Sequence, residues 1–564
     1  MEHRRDEYRG RGTKKSTNSD VTVSMRKERR DMLHKRIRLR DSSNINTNVN
    51  NGQHQYEQQR EERMNDNDND DIDNILNKIL CNIQDPSTTT KLQGLTKLRQ
   101  LTCTSNWPVD RVIATGVIDY IISLLTSSDH NIQYESIWCL TNIASGDHHQ
   151  TALVLKAVPV LLQILSGTNP NLQDQASWTI GNIAGDSDEF RQVLIANGAV
   201  KPLMDYALVS ASTSLNSQHN EAFDSYCDRA RTAVWALSNI TRGTTPAAEF
   251  MNLNAMTSLI ALMVTHTDKK LSNEICWIFT FLSAKEIESV KKLVDLGLIQ
   301  ALISVAEASD YSTLEPVPAL RCLGNLSSGL LPWIDVILNT QTFLSSLARI
   351  GSLPCTLPDY TIVLKEVLRV VANMFGGTPI HKQILVGNGI LEIIIRGLSV
   401  DSFDTQREAV RGLQNACDTS AGGDTSAVER IASEVPALML LMKLMKAPDI
   451  SMALGCMRIV RLVLIQFNDL IEACAKDGLF DILDELHYTN TDEEICRTAA
   501  AMSDELCELF EDTDLISYEP GNDKEDSFIF NSNSTADGTA VFNFGGGRGG
   551  AGRGQHLLKP SWME

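Results

Sequence analysis

From residue 76 to residue 515, apolar residues recur at intervals of three and four, in short stretches broken by Gly or by polar turns. This is the spacing of amphipathic helices. In ESIWCLTNIASG the stripe runs through Ile137, Leu140, Ile143 and Ala144, while Glu135, Trp138 and Asn142 fall on the opposite side. DQASWTIGNIAGD turns Ile180, Ile183 and Ala184 inward and Gln175, Trp178 and Asn182 outward. RTAVWALSNITRG turns Val234, Leu237 and Ile240 inward and Thr232, Trp235 and Asn239 outward. Each predicted helix carries a Trp and, four residues on, an Asn. An indole turned away from its own core exposes a large apolar surface, which a soluble chain seldom tolerates without use. The pattern predicts an exposed ladder built to grip a ligand.

The same position recurs farther on. EICWIFTFLSA gives Glu274, Trp277 and Phe281; PALRCLGNLSSG gives Pro318, Arg321 and Asn325; KEVLRVVANMFGG gives Glu366, Arg369 and Asn373; REAVRGLQNACDTSAGG gives Glu408, Arg411 and Asn415. Steps between the central residues 138, 178, 235, 277, 321, 369 and 411 are 40, 57, 42, 44, 48 and 42 residues. The polar run ASTSLNSQHNEAF (211–223) accounts for the long step and predicts a surface loop between two helices. Each unit reads as a short helix ending near Gly (IATG, IANG, VDLG, VGNG), a second helix, a polar turn and the ladder helix. The ladder helix is expected to end at Gly146, Gly185, Gly243, Gly329, Gly376 or Gly423 in a left-handed cap. Several helices per period of about 40–47 residues mark an armadillo or HEAT solenoid. Such a unit buries its apolar face only against its neighbours, and the stack forms a superhelix whose concave surface the ladder helices line.

Composition agrees: 564 residues, 42% apolar and 6% aromatic, suit a long helical array. No apolar run reaches the ~18 residues needed to cross a bilayer, and the basic N-terminus does not read as a signal peptide. The 12 Cys are scattered without a CxxC pair and read as reduced core residues. No nucleotide, metalloprotease or hydrolase motif is found, so no catalytic, metal or cofactor site is expected. His148 and His149 read as solvated.

Charge is uneven. Residues 1–40 hold 14 Lys/Arg and 6 Asp/Glu, a net of +8; the whole chain is −20, which leaves −28 for the remainder. Within VTVSMRKERRDMLHKRIRLR (21–40), Met25, Met32, Leu33, Ile37 and Leu39 are dispersed among basic residues, as in a helix that forms on a partner. The stretch 42–71 is rich in Asn, Gln and Asp and has too few apolar residues to fold. Four segments result: a basic segment 1–45, a polar linker 46–75, the solenoid 76–515, and a disordered Gly-rich tail 516–564. GGGRGGAGRG in that tail is too short a signal for nucleic-acid binding.

With these residues in view, the chain resembles the importin-α family. The likeness rests on the WxxxN helices with LTNIASG, GNIAGDS and LSNITRG, on the GAV-x-PL turn (198–203), on FDTQREAV (403–410), on the basic arm and on the FNF near the end (542–544). The resemblance implies an all-α fold, a right-handed superhelical solenoid of about ten armadillo repeats. It implies an adaptor, shuttling between cytoplasm and nucleus, that binds Lys/Arg-rich localisation signals. Residue by residue it implies a major groove of Trp138, Asn142, Gly146, Thr151, Gln175, Trp178, Asn182, Asp186, Trp235 and Asn239. Arg26, Lys27, Arg29, Arg30, Lys35, Arg36 and Arg38 would hold an importin-β-type carrier, and the acidic end Glu505–Asp514 an export factor. Membrane and nucleic-acid partners are not expected.

Departures from the family pattern concern a second, minor groove. Glu274, Trp277, Arg321, Asn325, Glu366, Asn373, Glu408 and Asn415 match it, yet Arg369 and Arg411 stand where the family has Trp, and ISMALGCMRIVRLVL lacks the Asn. An Arg cannot receive a cationic stem as an indole does. Glu366 and Glu408, three residues earlier, are expected to pair with Arg369 and Arg411, and the simplest expectation is drift of an unused surface. The basic cluster Lys35-Arg36-Ile37-Arg38 is interrupted, which implies weaker self-inhibition by the arm. The alternative function is an armadillo scaffold in adhesion or signalling.

Overall fold

The computed structural model describes residues 67–102, 109–216, 221–351, 353–354, 356–357, 359–419 and 425–516, with two-residue strands at 533–534 and 540–541. The basic arm and most of the Gly-rich tail lie outside them. The chain divides into a unit of residues 1–509 and another of residues 510–564. In the second, Asn533–Ser534 pairs antiparallel with Ala540–Val541. Among the described residues of the first, every regular element is a helix.

Ten ladder helices recur along it: α1 (Thr88–Thr102), α2 (His130–Ile143), α3 (Pro170–Asp186), α4 (Glu221–Thr241), α5 (Lys269–Leu282), α6 (Val317–Ser327), α7 (Tyr360–Phe375), α8 (Phe403–Ala416), α9 (Ile450–Gln466) and α10 (Glu493–Ile516). Each from α1 to α9 packs on the next through α8–α9, and Arg461 on α9 meets Glu505 on α10 through Nη2 to Oε1 at 2.7 Å. Shorter helices join successive ladder helices, as Val109–Ala114 and Val117–Leu124 do before α2. This is the stacked array that the period predicts. No single helix among the described residues is long and apolar enough to cross a membrane.

Local chemistry sets the boundaries. Asp129 accepts from the amides of Asn131 and Ile132 to start α2, Asn169 does the same for α3 with Pro170 in the first turn, and Asp268 starts α5. Gly116, Gly198, Gly297 and Gly389 turn the corner between the two short helices at positive φ, which L side chains rarely adopt. The apolar stripe is buried as its spacing predicts: Ile137, Leu140, Ile143, Ile180, Ile183, Ala184, Leu237 and Ile240 have no exposed surface.

Three expectations are corrected. Most ladder helices do not end in a left-handed glycine: of the five expected caps among the described residues, only Gly243 has positive φ, Gly185 lies inside α3, and the sixth, Gly423, lies outside the described residues. Excess length at 211–223 is taken up by extending helices, not by a long loop. Val200–Leu215 runs to within a few residues of Glu221, and Ala211 and Ser214 are buried. The first described helix, Asn67–Gln84, begins inside the stretch assigned to the linker, because Asp and Asn are favoured at a helix start although they suggest disorder by composition.

Candidate functional site

Trp138, Trp178, Trp235 and Trp277 lie on the consecutive helices α2 to α5, which position them by stacking side by side. The sequence predicts all of them exposed. Trp178 and Trp277 are half-buried, but only 5% of Trp138 and 3% of Trp235 is exposed. A helical wheel sees one helix, whereas the side facing away from the core here closes against the neighbouring ladder helix. For the same reason Asn142, Gln175, Thr232 and Asn239 are buried.

Trp138, Trp235 and Trp277 each have a definite neighbour. The Arg99 guanidinium lies 4.2 Å from the Trp138 ring centre, Tyr134 meets that ring edge-on at 5.5 Å, and Arg99 Nε donates to Glu135 at 2.6 Å. Trp235 lies against Gly181 on α3, where a Cβ would overlap the indole carbons Cζ3 and Cε3. The Trp277 ring faces Phe281 at 5.9 Å and carries the Arg321 guanidinium at 5.4 Å. Arg at about these distances attracts an aromatic face by cation–π interaction. The chain's own Arg residues thus cover both ends of the indole run.

The ladder Asn residues obey one rule. Each Nδ2 donates to a backbone carbonyl of the preceding ladder helix: Asn142 to Arg99 at 3.1 Å, Asn182 to Thr141 at 3.0 Å, Asn239 to Gly181 at 3.0 Å, Asn325 to Thr280 at 3.1 Å, Asn373 to Gly324 at 2.7 Å, and Asn415 to Ala372 at 2.7 Å. From α3 onward the acceptor is the residue just before the previous ladder position. An amide nitrogen has two hydrogens, so this bond uses one of them. No sequence signal short of the repeat register could have found these ties.

Other members of the predicted groove divide. Thr151 is fully buried and its hydroxyl donates to the carbonyls of Ala144 and Asp147. Gln175 Nε2 donates to Thr141 Oγ1 at 2.8 Å. These two act in packing between repeats, and contact with a ligand is not open to Thr151 in this arrangement. Beside Gly146 lies the Gln150 side chain, which completes a capping box with Asp147. Asp186 continues along α3 after Trp178 and Asn182 and is half-buried.

Farther along, Arg replaces indole without leaving a gap. Arg369 sets its stem against Gly324, with Cδ 3.4 Å from where a Cβ would be, as Trp235 does against Gly181. Its Nη2 donates to Asn325 Oδ1 at 2.7 Å, and Arg411 Nη1 to Asn373 Oδ1 at 2.8 Å. Arg411 pairs with Glu408, as expected from their spacing, with Nε to Oε2 at 2.9 Å. Glu366, however, does not take Arg369: it reaches back to Arg321 on α6, with Nε to Oε1 at 3.0 Å. Glu366 is 2% exposed. Burial works to raise its carboxyl, and the Arg321 guanidinium outweighs that and holds it below the usual range. The Arg side chains of this half thus form an ordered network that takes the Oδ1 atoms of Asn325 and Asn373.

The seven described Cys classed as buried are free thiols, so reduced core residues describe them well. Among the described residues no His, Cys, Asp and Glu group has metal-binding spacing.

Comparison with known proteins agrees with this geometry. The armadillo/β-catenin-like repeat family matches residues 108–145 and 147–185. A crystal structure of an engineered protein superposes with a TM-score of 0.63 at 22% identity, covering 77% of this chain and 99% of that one; it carries the fold alone. Importin subunit alpha-9 of Arabidopsis thaliana is 28% identical over 387 residues, 66% of this chain and 71% of that protein. Importin subunit alpha-2 of Oryza sativa subsp. japonica is 34% identical over 338 residues, 59% of this chain and 61% of that protein. Importin subunit alpha-2 of Caenorhabditis elegans is 29% identical over 258 residues, 45% of each chain. The match thus spans less than two thirds of the rice and nematode relatives. Fold and ladder define an armadillo-repeat solenoid. Within that class, the relatives it resembles over more than half its length are importin α subunits.

Proposed function

We propose that this chain is a nuclear import adaptor that binds extended Lys/Arg-rich signals on the indole half of its ladder, α2 to α5. The observation that carries this reading is the run of Trp138, Trp178, Trp235 and Trp277 on four adjoining helices. Neighbouring indole faces sandwich the aliphatic stem of Lys or Arg, with cation–π attraction of about 0.5–2 kcal/mol each. Asn182 and Asn239 each keep a second amide hydrogen for a peptide carbonyl. Asp186 supplies a carboxylate at the end of α3 for a cationic head. Arg99 and Arg321, which cover Trp138 and Trp277, show that an indole of this ladder accepts a guanidinium. Trp178 and Trp235 lie between them as the central pair of the run.

In this reading the segment 21–40, through Arg26, Lys27, Arg29, Arg30, Lys35, Arg36 and Arg38, binds an importin-β-type carrier, and the C-terminal repeats receive an export factor. The protein then shuttles between cytoplasm and nucleus and performs no catalysis. Names of the relatives and the armadillo repeats support the adaptor role; the ladder supports the ligand class.

Titration of a labelled monopartite basic peptide tests it. Changing Trp178 and Trp235 together to Ala should weaken binding more than tenfold, since two stacked contacts of about 1 kcal/mol each are lost, with helical circular dichroism unchanged. Unchanged affinity would assign the indoles to packing alone and favour a scaffold role.

A further inference from the structure

Asp186 is not a bare carboxylate. His148, on the helix His148–Val154 that opens the same repeat, places Nδ1 2.6 Å from Asp186 Oδ1. Its ring stacks on Phe190 with centres 4.6 Å apart and planes 7° from parallel. Phe190 is buried, so the stack fixes the imidazole over α3's C-terminal end. The Asp186 side chain is 11% exposed and the His148 side chain 61%. Any ligand cation that seeks Asp186 therefore meets an imidazole already bonded to it.

We propose that His148 is a specificity-determining residue of the signal groove, one that competes with a ligand's Lys or Arg head for Asp186. This deepens the proposed function and rests on it. Among the described residues the charged groups facing the ring are acidic: Asp186 from α3, Glu189 from the helix Asp188–Ala196, and Asp147 from the loop before its own helix. His149 is its chain neighbour. Hydrogen bonding to Asp186 comes first among the influences that raise the His148 pKa. Below that pKa the imidazolium neutralises Asp186 and repels an incoming cation. Above it the ring is neutral, and a ligand ammonium gains the carboxylate's full charge. Affinity for a basic peptide should accordingly rise with pH through the imidazole range, although Lys and Arg do not titrate there.

Full-length protein is titrated with a labelled Lys/Arg peptide free of His at about pH 5.5 and about pH 8, which bracket an ordinary imidazole. Two variants are compared: His148→Ala, and His148→Asn, which keeps a donor for Asp186 but does not titrate. Native affinity should fall by about three- to fivefold between high and low pH, the size of one exposed ion pair. Both variants should hold their affinity across that range. An equal fall in the variants, or a flat native profile, overturns the role of His148 while leaving the groove intact, provided Trp178→Ala still weakens binding. Absence of peptide binding at either pH, with helix content retained, overturns both the competition and the groove.

Discussion

Trp235 and Gly181 occupy one another's space: the indole lies where a side chain on residue 181 would be. Alanine gains up to about 1 kcal/mol of helix propensity over glycine, but forcing a methyl into a filled site costs about 1–3 kcal/mol. Gly181→Ala should push the ring outward, lower the thermal midpoint and weaken basic-peptide binding together. A raised midpoint with native affinity would mean that the two helices part without cost.

The charge asymmetry of the chain gives a second test. Deleting residues 1–45 should abolish binding of an importin-β-type carrier, because it removes all the basic residues named for that contact. It should also raise peptide affinity, since a tethered basic arm competes at high effective concentration. Equal peptide affinity with and without the arm would remove self-inhibition and leave carrier binding standing.

The Arg half predicts a short signal. Arg369 and Arg411 occupy the slots that a second basic cluster would need, and they take the Oδ1 atoms of Asn325 and Asn373. A bipartite peptide should bind little better than its matched monopartite form. Changing both Arg to Trp should free those oxygens and yield a bipartite advantage of about 1–2 kcal/mol by calorimetry. A large advantage in the native protein would mean that the guanidiniums move aside on binding.

Glu366 links this half to acid sensitivity. Its folded pKa is held low, chiefly by Arg321 against the opposing effect of burial. Stability from the pair is therefore fully present above the ordinary Glu range near about 4.3, and is lost as pH falls through the folded value. Glu366→Gln strands a buried guanidinium and should cost about 2–4 kcal/mol at neutral pH. In chemical denaturation the gap between variant and native should close below about pH 4. A constant gap down to about pH 2, below which even paired carboxylates protonate, would place the effect in packing.

The repeat was legible because it is periodic: stripe, step and glycine corner recur often enough to fix both helix and face. Relations across neighbouring helices were less so. Trp138 and Trp235 lie in furrows that exist only once α1 and α3 are in place. Glu366 was assigned to Arg369 by its spacing along one helix, yet Arg321, 45 residues earlier, is the stronger partner in space. Residues 67–71 and 211–215 look like linker by composition, and tertiary context makes them helix. Of the predicted groove, the slots survive as candidates and Thr151 does not, because its hydroxyl is spent on local carbonyls.

One position breaks the Asn rule. Phe281 has no amide, so among the described residues α4 and α5 are the one pair between α1 and α8 without an Asn-to-carbonyl tie. The ladder is therefore two Asn-tied spans, α1 to α4 and α5 to α8, joined instead by packing and by an ion pair, Arg231 Nε to Asp268 Oδ2 at 2.9 Å, at the start of α5. The step from Trp235 to Trp277 is thus held by charge and packing, where every other step from α1 to α8 adds an amide tie.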